Sequence, residues 1–225
     1  MRAVVWNCRG VGSPLTVPQL KESIKLHSPS LVFLAETKKK KSFLNTVKQR
    51  IQFDHLFVVD PVGLASGLAV LWKKELLDKK VLFSSFTIEL LIDDKEAEVE
   101  WWCVCVYAST DVRIRREQWK VIVRRSCLWG DAWAIMGDLN NITSNNEKWG
   151  GRLRSDMSFL DFKSFINDNE LQDIGFEGVP WTWCNNWDSE GEVKKRIDRI
   201  LGSRGWIRSQ LRGGGGGGLC LIGDG

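Results

Sequence analysis

Short apolar runs that end at polar residues recur along this chain, and segments with helical spacing separate them. Apolar runs bounded by turn residues predict buried β-strands. The predicted strands cover residues 4–6, 30–36, 55–60, 67–72, 86–92, 99–107, 134–136, 178–187 and 195–203. An acidic turn joins the fifth and sixth of these, and it predicts a hairpin because both flanking segments have strong β propensity.

The first predicted helix follows the turn CRGVGSP. We expect Thr16 to cap it, with Pro18 tolerated in its first turn. The lysine run at residues 38–41 permits two interpretations. It is either the solvated start of a helix or, if a phosphate site lies nearby, a group of charges that attracts DNA. The sequence alone does not decide between them.

Two further helices are predicted at residues 113–128 and 157–169. The first is expected to pack against a sheet through apolar residues at roughly helical spacing, namely Ile114, Trp119, Ile122 and Val123. Either Ser155 or Asp156 is expected to cap the second. Strands interspersed with helices of this kind predict an α/β fold.

Composition adds a size and a charge to this picture. With 225 residues, 43% of them hydrophobic, the chain is long enough for one domain with a sizeable core. A formal net charge of +4 and a pI near 8.7 permit a polyanionic partner but do not demonstrate one.

The cysteines and the first residues indicate an intracellular protein. The six cysteines include no CxxC pair, and with only two histidines the spacing of zinc ligands is absent. We expect reduced thiols. The opening MRAVVWNCRG resembles no signal peptide, and no segment is long enough to span a membrane. The expected location is the nucleus or cytosol, with no membrane partner.

Several predicted strands end at a residue suited to binding a metal ion or a phosphate. These residues are Asn7, Glu36, Tyr107, Asp138 and Asn140. If the strands share a sheet and a direction, their ends meet in one cleft. A turn at 138–141 is the simpler interpretation of that segment alone, since Asp and Asn satisfy their own backbone in turns. Glu36 and Tyr107 have equally simple alternatives to a role in a metal or phosphate site. Glu36 could pair with the lysine run, and Tyr107 could be a half-buried aromatic residue of its strand.

The chemistry of these groups together favours phosphodiester cleavage. A carboxylate such as Glu36 holds Mg²⁺ while leaving the ion partly hydrated. The amide of Asn140 can donate to a phosphoryl oxygen or orient water, and Tyr107 can donate to an anionic oxygen.

An ordered set of motifs carries a resemblance to a known family. WNCRG, LAET, VYAS, IMGDLNNI, PWTW and RIDRIL occur in that order over roughly residues 1–205. The set resembles the endonuclease/exonuclease/phosphatase superfamily, and most closely the endonuclease domain of plant LINE-type non-LTR retrotransposons. The resemblance implies a four-layer α/β/β/α sandwich similar to deoxyribonuclease I, and Mg²⁺-dependent hydrolysis of DNA, with Mn²⁺ as a possible substitute.

The resemblance also implies roles for particular residues. Glu36 and Asn7 match the metal site, and Tyr107 matches a tyrosine that contacts phosphate. Asp138 and Asn140 match the pair that positions the attacking water and stabilises the pentacovalent phosphorus. Three further matches lie later in the chain: Asp198 with the aspartate that supports a catalytic histidine, and Thr182 and Trp183 with a motif near the DNA-facing loop.

The sequence departs from the family pattern near its end. The family has a Ser-Asp-His motif on a late strand, but this sequence has no histidine after His55. Asp54 and His55 form an Asp-His pair far from that position, where a surface pair is expected. We expect a domain at 1–211 that is incomplete at its C-terminus and lacks the last strand or strands, followed by a disordered glycine-rich tail at 212–225.

Three functions therefore compete. The first is a DNA endonuclease of a retroelement, whose activity the missing histidine puts in doubt. The second is an inactive remnant that keeps metal or nucleic-acid binding. The third is a phosphatase of the same superfamily. No protein partner is inferable from the sequence, and whether the chain is an enzyme stays open.

Overall fold

The computed structural model describes residues 1–62, 66–95, 98–176, 179–187 and 191–212. Its strands are β1 (Ala3–Asn7), β2 (Leu31–Ala35), β3 (His55–Val59), β4 (Leu68–Trp72), β5 (Leu77–Phe83), β6 (Thr87–Asp94), β7 (Val99–Tyr107), β8 (Trp133–Asp138), β9 (Lys148–Trp149), β10 (Gln172–Asp173), β11 (Trp183–Cys184), β12 (Lys194–Lys195) and β13 (Asp198–Gly202). The helices are α1 (Thr16–His27), α2 (Lys41–Ile51), α3 (Val112–Ser126), α4 (Leu160–Asp168) and α5 (Arg204–Arg212), with 3-10 turns at Asn145–Glu147 and Asp156–Phe159.

The strands form two larger sheets and one small one. The first sheet has the order β1-β2-β4-β3, the second β10-β13-β8-β7-β6-β5, and the small sheet β11-β12-β9. Among the strand pairs of the described residues, β1 with β2 and β7 with β8 are parallel, and the others are antiparallel. Both parallel pairs end at residues that the sequence singled out.

The two larger sheets pack face to face, and helices cover their outer faces. Alternate side chains of each sheet, such as Phe33 and Cys103, meet in a central core. The other side chains of the first sheet, such as Leu34, pack against α1 and α2. Those of the second sheet, such as Val104, pack against α3 and α4. This is the predicted α/β/β/α arrangement, and it explains why the strand sequences are apolar on both sides.

Three local predictions were wrong in detail. Thr16 is the first residue of α1 rather than its cap, and its hydroxyl donates to the Gly10 carbonyl at 3.4 Å. Ser155 flanks a 3-10 turn without a side-chain capping bond, and α4 begins only at Leu160. The strand predicted at 134–136 is longer than expected, because β8 runs from Trp133 to Asp138.

Helix α3 buries a different face from the one predicted. Trp119 and Ile122 are buried as expected, but Ile114 and Val123 are 55% and 40% exposed. Their place is taken by Arg115, which is only 4% exposed. Residues 115, 119 and 122 share one face because helical neighbours lie three and four residues apart.

Some predictions fall outside the described residues. Of the predicted tail at 212–225, only Arg212 is described, as the last residue of α5. The five described cysteines are free thiols, and Cys220 lies beyond them. Among the described residues, no helix has both the length and the apolar character needed to cross a bilayer.

Candidate active site

The ends of four strands meet at one edge of the paired sheets. Asn7 ends β1 and Glu36 follows β2; Tyr107 ends β7 and Asp138 ends β8. Tyr107 lies directly opposite Asp138 in the parallel pair β7–β8. The polar ends of the two parallel pairs thus face each other across the sandwich.

The Asn7 amide joins the two sheets. Its Nδ2 donates to Glu36 Oε1 at 3.0 Å and to Asp138 Oδ2 at 3.2 Å, while its Oδ1 accepts the Arg9 N–H at 3.3 Å. Because both carboxylates can only accept and the Arg9 N–H can only donate, these contacts fix the orientation of the amide. Asn7 and Asp138 are buried, at 8% and 3% exposure, so the bridge is shielded from solvent.

Three side chains contact Glu36. Its Oε1 also accepts the Tyr107 hydroxyl at 2.7 Å, and its Oε2 lies 3.4 Å from the Lys38 ammonium. Partial burial raises the pKa of Glu36, but the hydrogen bonds from Tyr107 and Asn7 and the charge of Lys38 outweigh it, so the pKa lies below 4.5. Glu36 is therefore an anion at neutral pH. Both simple alternatives hold here, since Glu36 pairs with a lysine and Tyr107 is half-buried.

Asp138 is held from the other side by Asn140. The Asn140 N–H donates to Asp138 Oδ1 at 2.9 Å, and the Asn140 Nδ2 donates to the Ala108 carbonyl at 2.7 Å. This is the side-chain-to-backbone turn that the sequence offered as the simpler interpretation. Asn140 has a left-handed backbone, with φ of 47°. The turn and the site are therefore the same structure.

Asp198 lies on β13, the strand next to β8, and Thr182 immediately precedes β11. Asp198 begins β13 directly opposite Asp138 in the antiparallel pair β8–β13, and both carboxylates are 3% exposed. The Thr182 hydroxyl accepts the backbone N–H groups of Ile197 and Asp198, both at 3.0 Å. Trp183 is half-buried, with the Lys195 ammonium 4.8 Å from its ring centroid. Thr182 thus fixes the start of β13, and substrate binding by Thr182 and Trp183 stays a prediction.

The donor set suits a hard, hydrated cation rather than a desolvated metal cage. Among the described residues there is no group of three or more His, Cys, Asp or Glu side chains placed to hold a metal ion. Mg²⁺ needs fewer, because it keeps several waters and binds through one or two carboxylates. Glu36 Oε2 already faces a cation, Lys38, and its side chain is 21% exposed. Glu36 and Asn7 are thus the residues that would hold the ion.

Sequence reasoning missed one charged residue beside the site. Arg115 of α3 donates to the carbonyls of Ser109 at 2.7 Å and Thr110 at 3.1 Å, and it interacts electrostatically with Asp138. The available signal was weak: Arg115 shares helical spacing with Trp119 and Ile122, but an arginine is usually exposed. The pattern was assigned instead to its neighbour Ile114.

Both histidines lie at the opposite end of the molecule. His55 begins β3, where it pairs with Trp72, and Trp72 in turn pairs with Leu31 at the start of β2. Glu36 follows the other end of β2, so about 13 Å of strand separates the two ends. The carbonyl of His27, at the end of α1, accepts from Arg2, which precedes β1. Neither histidine is placed to act on a group bound at Glu36.

Comparisons with known proteins agree with this architecture. The model of the Endonuclease/Exonuclease/phosphatase family matches residues 4–218. The 3′-5′ exonuclease NExo of Neisseria meningitidis is 16% identical with a TM-score of 0.69, covering 91% of this chain and 88% of that one. The catalytic domain of Xenopus laevis APE2 is 17% identical with a TM-score of 0.67, covering 92% and 84%. A Neisseria 3′ phosphatase NExo bound to a product DNA hairpin is 14% identical with a TM-score of 0.68, covering 90% and 86%. No curated protein sequence matches.

Proposed function

Since this chain belongs to the endonuclease/exonuclease/phosphatase family, we propose that it is a divalent-metal-dependent phosphodiesterase that acts on DNA. One observation carries the proposal: the hydrogen bonds that join Asn7, Glu36, Tyr107 and Asp138 across two separate sheets. A fold that needed these residues only for turns would not bring two carboxylates from different sheets onto one amide. Structures of similar fold contain a DNA hairpin product and a single-strand DNA product, which supports DNA as the substrate.

Each residue has a role in this proposal. Glu36 and Asn7 would hold Mg²⁺, with Mn²⁺ as a substitute, and the bound ion would supply positive charge to the phosphate. Tyr107 has one hydroxyl proton, which it donates to Glu36 in this structure, so it would donate toward a phosphate oxygen by turning that proton away from Glu36. Asp138 orients the attacking water. Asn140 donates a hydrogen bond to a phosphoryl oxygen as negative charge develops around the phosphorus. Asp198, buried beside Asp138, keeps the local field negative and attracts cations.

We further propose that the chain is the endonuclease domain of a plant LINE-type retrotransposon. The ordered motifs from WNCRG to RIDRIL support this assignment. A genomic copy that continues into a reverse transcriptase reading frame is the expected finding, and a locus that encodes a stand-alone repair enzyme would contradict it.

The decisive experiment is nicking of supercoiled plasmid by the purified protein. We expect nicking in Mg²⁺, none in EDTA, and a loss of about 10²-fold or more in Glu36→Gln and Asp138→Asn. Glu117→Gln is the matched control, because it removes an exposed carboxylate of α3 and should nick as the wild type does. A 3′-phosphorylated hairpin and a soluble inositol phosphate serve as further substrates. Release of phosphate from either, without nicking, would assign a phosphatase instead.

A second candidate function is supported by the positions of the histidines. A general acid or base contributes about 10² to 10⁴ in rate, and neither His27 nor His55 is near Glu36. A remnant that binds metal and nucleic acid without turnover would have this arrangement. Calorimetric binding of Mg²⁺ by a folded wild type that does not cleave any of the three substrates would establish it.

A further inference from the structure

Four basic residues extend from the side of Asp138 to the small sheet β11-β12-β9. Arg115 interacts electrostatically with both Asp138 and Arg154, and Lys195 interacts with both Arg154 and Lys148. Lys195 of β12 lies directly opposite Lys148 of β9. Together, Arg115, Arg154, Lys195 and Lys148 are called the basic track below.

None of these four cations pairs with a carboxylate of the described residues. Arg115 donates to backbone carbonyls, and Arg154 donates to Ser158 and to Asn141 Oδ1. Lys148 donates to the Arg152 carbonyl, while Lys195 lies over the Trp183 ring. All of these hydrogen-bond and ring partners are neutral. Asp111, Asp138 and Asp161 act on Arg115 electrostatically without an ion pair, whereas the charges named for Lys195 are both positive.

Three neighbouring cations in the same part of the fold do pair with carboxylates. Arg196 and Arg199 are buried, and both pair with Glu147 and Asp173. Lys194 precedes Lys195 on β12 and points to the opposite face, where it pairs with Glu192 at 2.9 Å. These three cations form ion pairs with acidic side chains, whereas the four cations of the basic track form none among the described residues.

The arrangement is costly without an anion. Arg115 is 4% exposed and the other three are half-buried. Burial, followed by the charges of Arg154 and Lys148, lowers the pKa of Lys195; burial and then the charge of Arg154 lower that of Arg115. Like charges directly opposite each other on a sheet, as in Lys195 and Lys148, are destabilising. A bound polyanion would remove this repulsion.

We propose that the basic track binds the phosphodiester backbone of a nucleic-acid strand, leading it from the scissile phosphate beside Asp138 out over the small sheet. The proposal rests on the proposed function, because it names the side of the site along which the substrate strand runs. The track contacts phosphates rather than bases, so its contribution is independent of sequence.

The test measures binding rather than cleavage. A fluorescein-labelled oligonucleotide, single-stranded or as a duplex, is titrated in EDTA at several KCl concentrations, and anisotropy gives Kd. The variants are the double substitution Lys148→Gln with Lys195→Gln, and Lys194→Gln as the control. The control removes one positive charge from β12, the strand that carries Lys195, but on the other face. Urea unfolding of each variant checks that it is folded.

Each lost phosphate contact lowers the slope of log K against log salt by about 0.9 for duplex and about 0.7 for a single strand. We therefore expect the double variant to lose nearly two units of slope on a duplex and to bind roughly tenfold or more weakly at moderate salt. Lys194→Gln should match the wild type. Equal slopes in all three proteins, or no binding by the wild type, would overturn the track. A wild type that nicks plasmid while its slope is insensitive to Lys148 and Lys195 keeps the proposed function and loses only this inference.

Discussion

At the scale of single residues, Asn140 has a backbone role and a side-chain role that can be separated. Its left-handed φ of 47° lets its N–H reach Asp138, while its amide reaches the Ala108 carbonyl and retains a second donor. Glycine accepts a left-handed backbone without strain, whereas alanine does not. Substitution by glycine therefore removes only the side-chain hydrogen bonds of Asn140. Substitution by alanine removes those bonds and also strains the backbone.

We expect Asn140→Gly to fold at a cost of about 1 kcal/mol for the lost bond to Ala108, while its rate of phosphodiester cleavage falls about 10²-fold, the usual loss for one donor to a developing charge. Asn140→Ala should lose the same rate and about 1 kcal/mol more stability than Asn140→Gly. Nicking rates and urea unfolding of both variants measure the two effects. A fully active Asn140→Gly would mean that only the backbone N–H matters.

The meeting of Asn7, Glu36, Tyr107 and Asp138 was predictable from the sequence because each of them ends an apolar run. Glu36 and Asp138 follow strands whose burial is evident, and the carboxyl ends of parallel strands meet at one edge. Arg115 was not found, since a buried arginine contradicts the usual partition of charge to the surface. Its contacts to the carbonyls of the loop after β7 depend on tertiary structure, which one sequence does not reveal.

At the scale of elements, the close approach of β7 and β8 sets the spacing of Tyr107 and Asp138. Gly137 has φ of 149°, and a Cβ there would lie 1.8 Å from the Val106 carbonyl oxygen. Backbone cannot yield as a flexible side chain can. A side chain at residue 137 would thus displace both residues that follow.

Gly137→Ala is expected to destabilise the fold by at least about 2 kcal/mol, and to abolish cleavage, because it adds overpacking to an unfavourable φ. Gly130→Ala is the matched control: its φ of 65° is also positive, but nothing lies within 4 Å of the added Cβ. It should cost only about 1 kcal/mol. Thermal and urea unfolding of the pair separate the two causes, and equal losses would show that φ alone matters.

The long strands were visible in the sequence, whereas the short and charged ones were not. β5 runs from Leu77 to Phe83 at the outer side of its sheet and contains Asp78, Lys79 and Lys80. Charges on an edge strand prevent aggregation but erase the apolar alternation that identifies a strand. β9 and β12 have two residues each, too few for any period. The small sheet therefore emerges only from tertiary contacts.

At the scale of the whole molecule, the α/β/β/α order of the layers was predicted from the resemblance to the family. It was not predicted from the periodicity of apolar residues. Leu34 and Phe33 are both fully buried, one under helices and one between sheets. Their sequence is uniformly apolar, so it cannot say which side faces which layer. The insertion of β4 between β2 and β3 is equally invisible locally, because pairing partners are chosen by packing.

A network of four charges ties the site strand β13 to two distant segments. Arg199 bonds to Glu147 and to Asp173 at 2.7 Å, and Arg196 bonds to the same two acids. Glu147 belongs to the loop after β8, and Asp173 to β10. Burial raises the pKa of both acids, but hydrogen bonds and charge from the arginines outweigh it, so each pKa lies below its usual value.

Arg199→Met removes one of the two arginines and leaves Glu147 and Asp173 with Arg196 alone, which should cost about 1 to 2 kcal/mol. The loss should depend on pH in a defined direction. A depressed folded pKa stabilises the fold above the unfolded pKa, and this stability disappears as the pH falls through the folded value. The difference in unfolding free energy between wild type and variant should therefore be largest above pH 4.5, and it should shrink as the pH falls below 3.8. Urea unfolding of both proteins from pH 7 to pH 3 measures it.

The exposed pair Arg116 and Asp161 supplies the control, since Arg116→Met should change stability little at any pH. A gap that stays constant down to pH 3 would show that Arg199 acts through packing alone, and β13 would then be held at the site without help from its charges.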